Sequence, residues 1–304
     1  MLVARVPATS ANLGPGFDCF GLALSLFNDV ELIPDGPFGV EVIGEGADVL
    51  PKDRANLVAR TVHRYFEIIG RPAPPFRLRL TNRIPMTGGL GSSSTALVGG
   101  LLVANHCAGD VVSKDDLLRI AFELEGHPDN VAPAVLGGLV LSVVDQGRLT
   151  TVSVPVPGRL RAVAFLPRFS TSTRDARRLL PNRVSHADAV YNLGRAALLV
   201  AAMTAGRLDL LRVATQDRLH QPYRQVLFPA MPRFFELALE AGALGAWLSG
   251  SGSALLALTD GQEAAVVEAF ENAGRANGVA GRAIVVDLEP RGAYLLPEST
   301  LLPS

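Results

Sequence analysis

Phe76-Arg-Leu-Arg-Leu-Thr-Asn-Arg-Ile-Pro-Met-Thr-Gly-Gly-Leu-Gly-Ser-Ser-Ser-Thr95 is the stretch on which the reading of the fold turns. From Phe76 to Leu80 apolar and charged residues alternate, which predicts a half-buried strand. The small and apolar run from Thr95 to about Ala108, closed near Gly109, predicts a buried helix. Between them lies a glycine-serine loop. Glycines let a backbone come close to an anion, and the first-turn N–H groups and helix dipole point positive charge at it. The segment Pro85, Met86, Thr87, Gly88, Gly89, Leu90, Gly91, Ser92, Ser93, Ser94 and Thr95 therefore predicts a polyphosphate cradle at a helix start. A glycine-rich turn capped by serines is the plainer alternative; three consecutive serines leading into a long small-residue helix favour the cradle. No lysine follows the glycines, so the GxxxxGK(S/T) pattern fails, and GxGxxG fails as well.

Composition agrees with a globular phosphate binder of another kind. The chain has 304 residues, 48% of them hydrophobic, and a formal net charge of −1. That suits a substantial core in two domains or one large one, excludes disorder, and leaves no basic excess for a nucleic-acid backbone. There are 26 arginines and two lysines, Lys52 and Lys114, neither in a glycine-rich stretch. Cys19 and Cys107 have neither CxxC nor Cys/His ligand spacing, and a reducing cytoplasm is expected. No basic-then-apolar leader is visible at the N-terminus, and apolar runs break well before about 18 residues, so neither export nor a membrane span is expected.

Outward from the loop, Ser113 with Asp116 reads as a helix start, with Leu117, Ile120, Ala121 and Leu124 on its apolar face and Gly126 at its end. That helix delivers Glu123-Leu-Glu-Gly-His-Pro-Asp-Asn130. Val135 to Ser142 reads as a buried strand. The prolines of Val154-Pro-Val-Pro-Gly158 mark a joint, giving expected domains 1–155 and 156–304. Beyond it come a strand at 161–166, two or three helices between 185 and 242, a hairpin over 245–258, a helix near 262–277 and a strand at 282–286. The fold class is α+β.

Three ordered segments carry a family resemblance: Pro7-Ala-Thr-Ser-Ala-Asn-Leu-Gly-Pro-Gly-Phe-Asp18, the Pro85–Ser94 loop, and Leu248-Ser-Gly-Ser-Gly-Ser-Ala254. Together they resemble the motifs of the GHMP kinases, the first being most similar to the homoserine kinase branch. The resemblance spans residues 3 to about 290. It implies a two-domain α+β fold, an N-terminal ribosomal-protein-S5-like ATP-binding domain and a C-terminal ferredoxin-like domain, with ATP, Mg2+ and substrate in the cleft between them. It also implies phosphorylation of the L-homoserine side-chain hydroxyl and a homodimer; from composition and run length, no nucleic-acid or membrane partner is expected. Two rival functions stay open: a GHMP kinase for another small alcohol such as mevalonate, and a non-catalytic ligand-binding relative.

Residue by residue, the resemblance assigns Asp18 to the substrate ammonium and Asn12 to its hydroxyl. Thr171-Ser-Thr-Arg-Asp-Ala-Arg177 and Gln216–Arg224 supply Arg177 and Arg224 for the carboxylate and Thr173 as an accessory, since arginine matches a carboxylate as a planar fork. Glu123 with Ser92 or Ser93 matches the magnesium ligands. A helical wheel places Glu125 on the buried side of the stripe, however, where a carboxylate needs a partner, so it competes with Glu123. His127 and Asp129 are candidate bases; the matching branch residue, Asn130, cannot take a proton, which favours catalysis by positioning and electrostatics.

Overall fold

The computed structural model describes residues 2–86 and 88–297, so the expected phosphate contact Thr87 lies outside the described residues. Strands β1 (Leu2–Ala11), β2 (Phe20–Pro34) and β3 (Gly39–Gly44) lead into helix α1 (Leu57–Ile68), and β4 (Phe76–Asn82) leads into α2 (Ser92–Cys107). Helices α3 (Lys114–Glu125) and α4 (Pro128–Leu136) precede the hairpin of β5 (Leu139–Asp145) and β6 (Arg148–Val154). Next come β7 (Arg161–Pro167), α5 (Thr173–Arg178), α6 (His186–Ala205), a 3-10 turn at Leu208–Leu210, α7 (Leu211–Ala214), α8 (Gln221–Arg224) and α9 (Met231–Glu240). The hairpin β8 (Gly245–Leu248) and β9 (Leu255–Thr259), α10 (Glu263–Ala276), β10 (Gly281–Asp287) and β11 (Tyr294–Leu295) complete the chain.

Among the described residues the strands form two sheets. The first runs β11-β1-β2-β4-β3, with β5 added on β2 and β6 on β5; its β3–β4 pair is parallel and the others antiparallel. The second, β10-β7-β9-β8, is antiparallel throughout and has the ferredoxin-like strand order. The first sheet buries one face against helices: Leu32 and Leu78 meet Val62, Tyr65, Leu97, Leu101 and Ile120. Phe165, Phe234 and Phe270 fill the outer side of the second. A third cluster joins the sheets, with Leu22, Leu24 and Leu139 packed among Ala164, Trp247 and Leu256. Between the sheets, Trp247 Nε1 donates to Ser10 Oγ at 3.0 Å. Apolar burial from both halves thus fixes the cleft between them.

The strand-loop-helix order is as read, with β4 alternating buried and exposed positions from Phe76 to Leu80. The helix α2 starts three residues early, so the serines form its first turn rather than a preceding loop. Val135 and Leu136 end a helix instead of starting a strand. Pro128 opens that helix at a position where its missing N–H costs nothing, and Gly137, at φ +82°, ends it; the strand begins only at Leu139. The apolar face of α3 stops at Ala121, since Leu124 is exposed. The stretch 185–242 holds more and shorter pieces than expected, and α5 was not expected at all. No helix among the described residues is long and apolar enough to cross a membrane.

Candidate active site

A cavity of about 490 Å3 opens where the loop after β1, the start of α2, the α3–α4 corner, α5, α8 and the β8–β9 turn converge. One end is made of backbone. Gly91 caps α2 in the left-handed region at φ +69°, and among the described residues no side chain caps the first-turn N–H groups of Ser92, Ser93 and Ser94. A Cβ on Gly91 would run into Thr9 Oγ1, and one on Gly89 into the Ser249 carbonyl, so both positions require glycine for fit as well as for conformation. Helix dipole and free N–H groups therefore face the cavity without a competing cap. Met86, Ser92 and Ser93 are shared with a smaller, more apolar recess of about 200 Å3 lined by Val30, Leu50, Leu57, Val58 and Leu80.

The opposite end is made of charge. Asn12 and Asp18 sit at φ +74° and +58°, conformations that Asn and Asp tolerate best among side chains with a Cβ. Asn12 is buried; its Oδ1 accepts the Asp18 N–H at 3.0 Å and its Nδ2 donates to the Gly250 carbonyl at 2.9 Å. Asp18 takes Arg177 through two hydrogen bonds of 2.8 and 2.9 Å. Arg224 is 3% exposed, and its Nη1 donates to the Gly250 carbonyl at 2.7 Å and lies 3.2 Å from His220 Nδ1. His220 is fully buried with Nε2 at 2.7 Å from the Gly14 carbonyl. That pairing makes Nε2 the protonated nitrogen and Nδ1 the acceptor for Arg224, a neutral imidazole. Burial pushes the His220 pKa down. Burial, followed by the charge of Arg177, also pushes Arg224 down to about 10, so it stays a cation at neutral pH. Arg224 Nε is buried without a hydrogen-bond partner among the described residues, and Phe17 lies beneath both guanidiniums at 5.2 and 5.4 Å.

Between the ends stand the groups carried by α3 and α4. Ser94 Oγ donates to Glu125 Oε1 at 2.8 Å, and both residues line the cavity. Glu123 is exposed and does not line it. On a helix the two residues point some 200° apart, so only one can face the cavity. Asp129, 4% exposed, holds His127 Nδ1 at 2.8 Å and pushes that imidazole's pKa up. Asn130 Oδ1 accepts Thr9 Oγ1 at 2.8 Å.

The family model for the GHMP kinases N terminal domain matches residues 56–138, and that for the GHMP kinases C terminal matches residues 194–276. Homoserine kinase of Desulfitobacterium hafniense is 44% identical over 297 residues, covering 97% of this chain and 100% of that one. The chain belongs to the GHMP kinase family. Homoserine kinase of Carboxydothermus hydrogenoformans is 43% identical, with 96% of each chain covered. The crystal structure of homoserine kinase from Cytophaga hutchinsonii superposes with a TM-score of 0.87 at 32% identity, covering 97% of both chains. A mevalonate kinase structure shares the fold at a TM-score of 0.70 and 11% identity, with 96% of this chain and 100% of that one covered.

Within this GHMP kinase, the cavity gathers Asn12, Asp18, Met86, Gly88, Gly89, Gly91, Ser92, Ser93, Ser94, Asn130, Thr173, Arg177 and Arg224 from the expected set. It does not gather Pro85, Leu90, Thr95 or Glu123. Leu90 is core, and buried Thr95 donates to the Ser92 carbonyl at 2.8 Å, supporting the helix start from inside. Thr173 Oγ1 lies 3.1 Å from Ser251 Oγ, joining α5 to the β8–β9 turn. Phe17 and Ser251 also line the cavity and were not singled out from sequence, although both lie inside motifs that were quoted.

Proposed function

We propose that this chain transfers the γ-phosphoryl group of ATP to the side-chain hydroxyl of L-homoserine, giving O-phospho-L-homoserine. Membership of the GHMP kinases implies dependence on ATP and Mg2+. One observation carries the substrate choice: a carboxylate, Asp18, and two guanidiniums, Arg177 and Arg224, meet at one end of a cleft whose other end is an uncapped helix N-terminus. A zwitterion with a hydroxyl arm fits that distribution. Mevalonate has no ammonium for Asp18. Homoserine kinase is also what the full-length relatives are named.

In this reading the α2 N-terminus and Ser92–Ser94 hold the triphosphate, and the apolar recess beside Met86 takes the base. Glu125 and the Ser94 hydroxyl fit a hard divalent cation, which in phosphoryl transfer asks for one or two carboxylates and completes its shell with phosphate and water. Bound there, Mg2+ would neutralise charge developing on the transferred phosphoryl group. Asp18 and the two arginines fix the amino-acid end and Asn12 orients the hydroxyl, while Asn130, an amide, cannot accept its proton. Asp129 is tied to His127, and this reading assigns the rate gain to alignment and electrostatic stabilisation. A coupled ADP-release assay with homoserine, mevalonate and shikimate tests the reading. Turnover with homoserine alone is expected, and preference for mevalonate overturns it.

A further inference from the structure

The two cations at the substrate end are held in opposite ways. Arg224 is anchored by a carbonyl and an imidazole, and among the described residues no carboxylate pairs with it. Arg177 turns both terminal nitrogens onto the two oxygens of Asp18, with side chains 38% and 34% exposed, so the pair reaches the cavity while each charge serves as the other's partner. Residue and partner come from different halves of the fold, the loop after β1 and the short helix α5, and neither lies in a strand.

We propose that the Asp18–Arg177 pair is a selectivity filter for zwitterions: substrate enters by exchange, its ammonium taking Asp18 and its carboxylate taking Arg177. The inference rests on the homoserine reading above and adds the reason for its selectivity. One internal ion pair is replaced by two external ones, and no charge is left alone. A hydroxy acid without an ammonium frees Arg177 only by stranding Asp18, and an amino alcohol does the reverse. Stranding a half-buried charge is penalised, so the pair rejects half-matched ligands as well as welcoming the full one.

Exchange predicts that removing one member of the pair helps the half-substrate that matches the other. The probes are 4-hydroxybutanoate and 3-aminopropan-1-ol, homoserine without its ammonium and without its carboxylate. Ligand-observed NMR titrations use the full chain as wild type, Asp18→Asn, Arg177→Gln and the double variant. Asp18→Asn releases Arg177 and is expected to tighten 4-hydroxybutanoate by about three- to tenfold; Arg177→Gln releases Asp18 and is expected to tighten 3-aminopropan-1-ol by a similar factor. Both gains should vanish in the double variant. Asparagine suits the left-handed backbone at position 18, and a variant that melts early is replaced by Asp18→Gly or Arg177→Met with the same expected gain. Unchanged or weaker binding of each probe in its matching variant overturns the filter. Gains in a protein that does not phosphorylate homoserine would instead retain the filter and overturn the substrate reading.

Discussion

On the proposed reading the two ends of the cleft recognise their ligands by different physics. At the proposed phosphate end the groups on offer are main-chain N–H groups, and the side chains that matter are mostly missing ones: Gly89 and Gly91 act by lacking a Cβ. At the substrate end the groups are ionised side chains on three segments far apart in the chain, set in place by Gly250, His220 and Phe17. Polyphosphate is bulky and highly charged, so a helix start suffices. A small zwitterion must be told from acids and amines, which takes opposite charges at fixed separations. The first end is thus damaged by adding atoms and the second by removing them.

The largest effect should come from the group between the ends. Glu125→Gln is expected to lower kcat by about 10²- to 10³-fold, the usual consequence of losing one electrostatic stabiliser, while exposed Glu123→Gln stays within about twofold. Steady-state rates across a magnesium titration decide between them. Arg224→Ala should raise the KM for homoserine about 10- to 100-fold, as expected for lost charge-assisted hydrogen bonds, with the KM for ATP within about twofold. Equal loss on both substrates would merge the two ends. Gly91→Ala should do the converse, raising the KM for ATP and straining the left-handed turn by about 1–3 kcal/mol, read from denaturant unfolding.

The smallest expected effect concerns pH. Burial holds the His220 pKa below its ordinary value of about 6.5, so on acidification the unfolded chain binds a proton that the folded one refuses. The stability due to the neutral imidazole is present above about pH 6.5 and is lost as pH falls from there toward the folded pKa. Thermal melts of wild type and His220→Gln should converge as pH falls from 7 to 5. A constant gap would mean that the imidazole is not held neutral.

How much of this was legible in sequence depended on the range of the interactions. The loop before α2, the hairpin around Ser249 to Ala254 and the capped helix α3 are local patterns, and all three could be read directly. Helix α4 was misread because Val135 to Ser142 is apolar in either period, and the break at Gly137 depends on Pro290 and Gly292 packed against it. The choice between Glu123 and Glu125 turned on rotation about one helix axis, which Ser94 settles in favour of Glu125 for the cavity side. The Asp18–Arg177 pair was invisible as a pair. Each residue was legible through its own motif, but their contact spans the two halves of the fold. Phe17 was overlooked because an aromatic between two cations has no signature in one dimension.

The most direct measurement is the identity of the phosphorylated atom. Incubation of the chain with ATP, Mg2+ and L-homoserine, followed by phosphorus–proton correlation NMR of the product, should show the phosphoester coupled to the terminal side-chain methylene and one ADP per ester. Phosphate released to water with homoserine intact, or an ester formed on mevalonate in preference, would contradict a cleft built to join polyphosphate at one end to a zwitterion at the other.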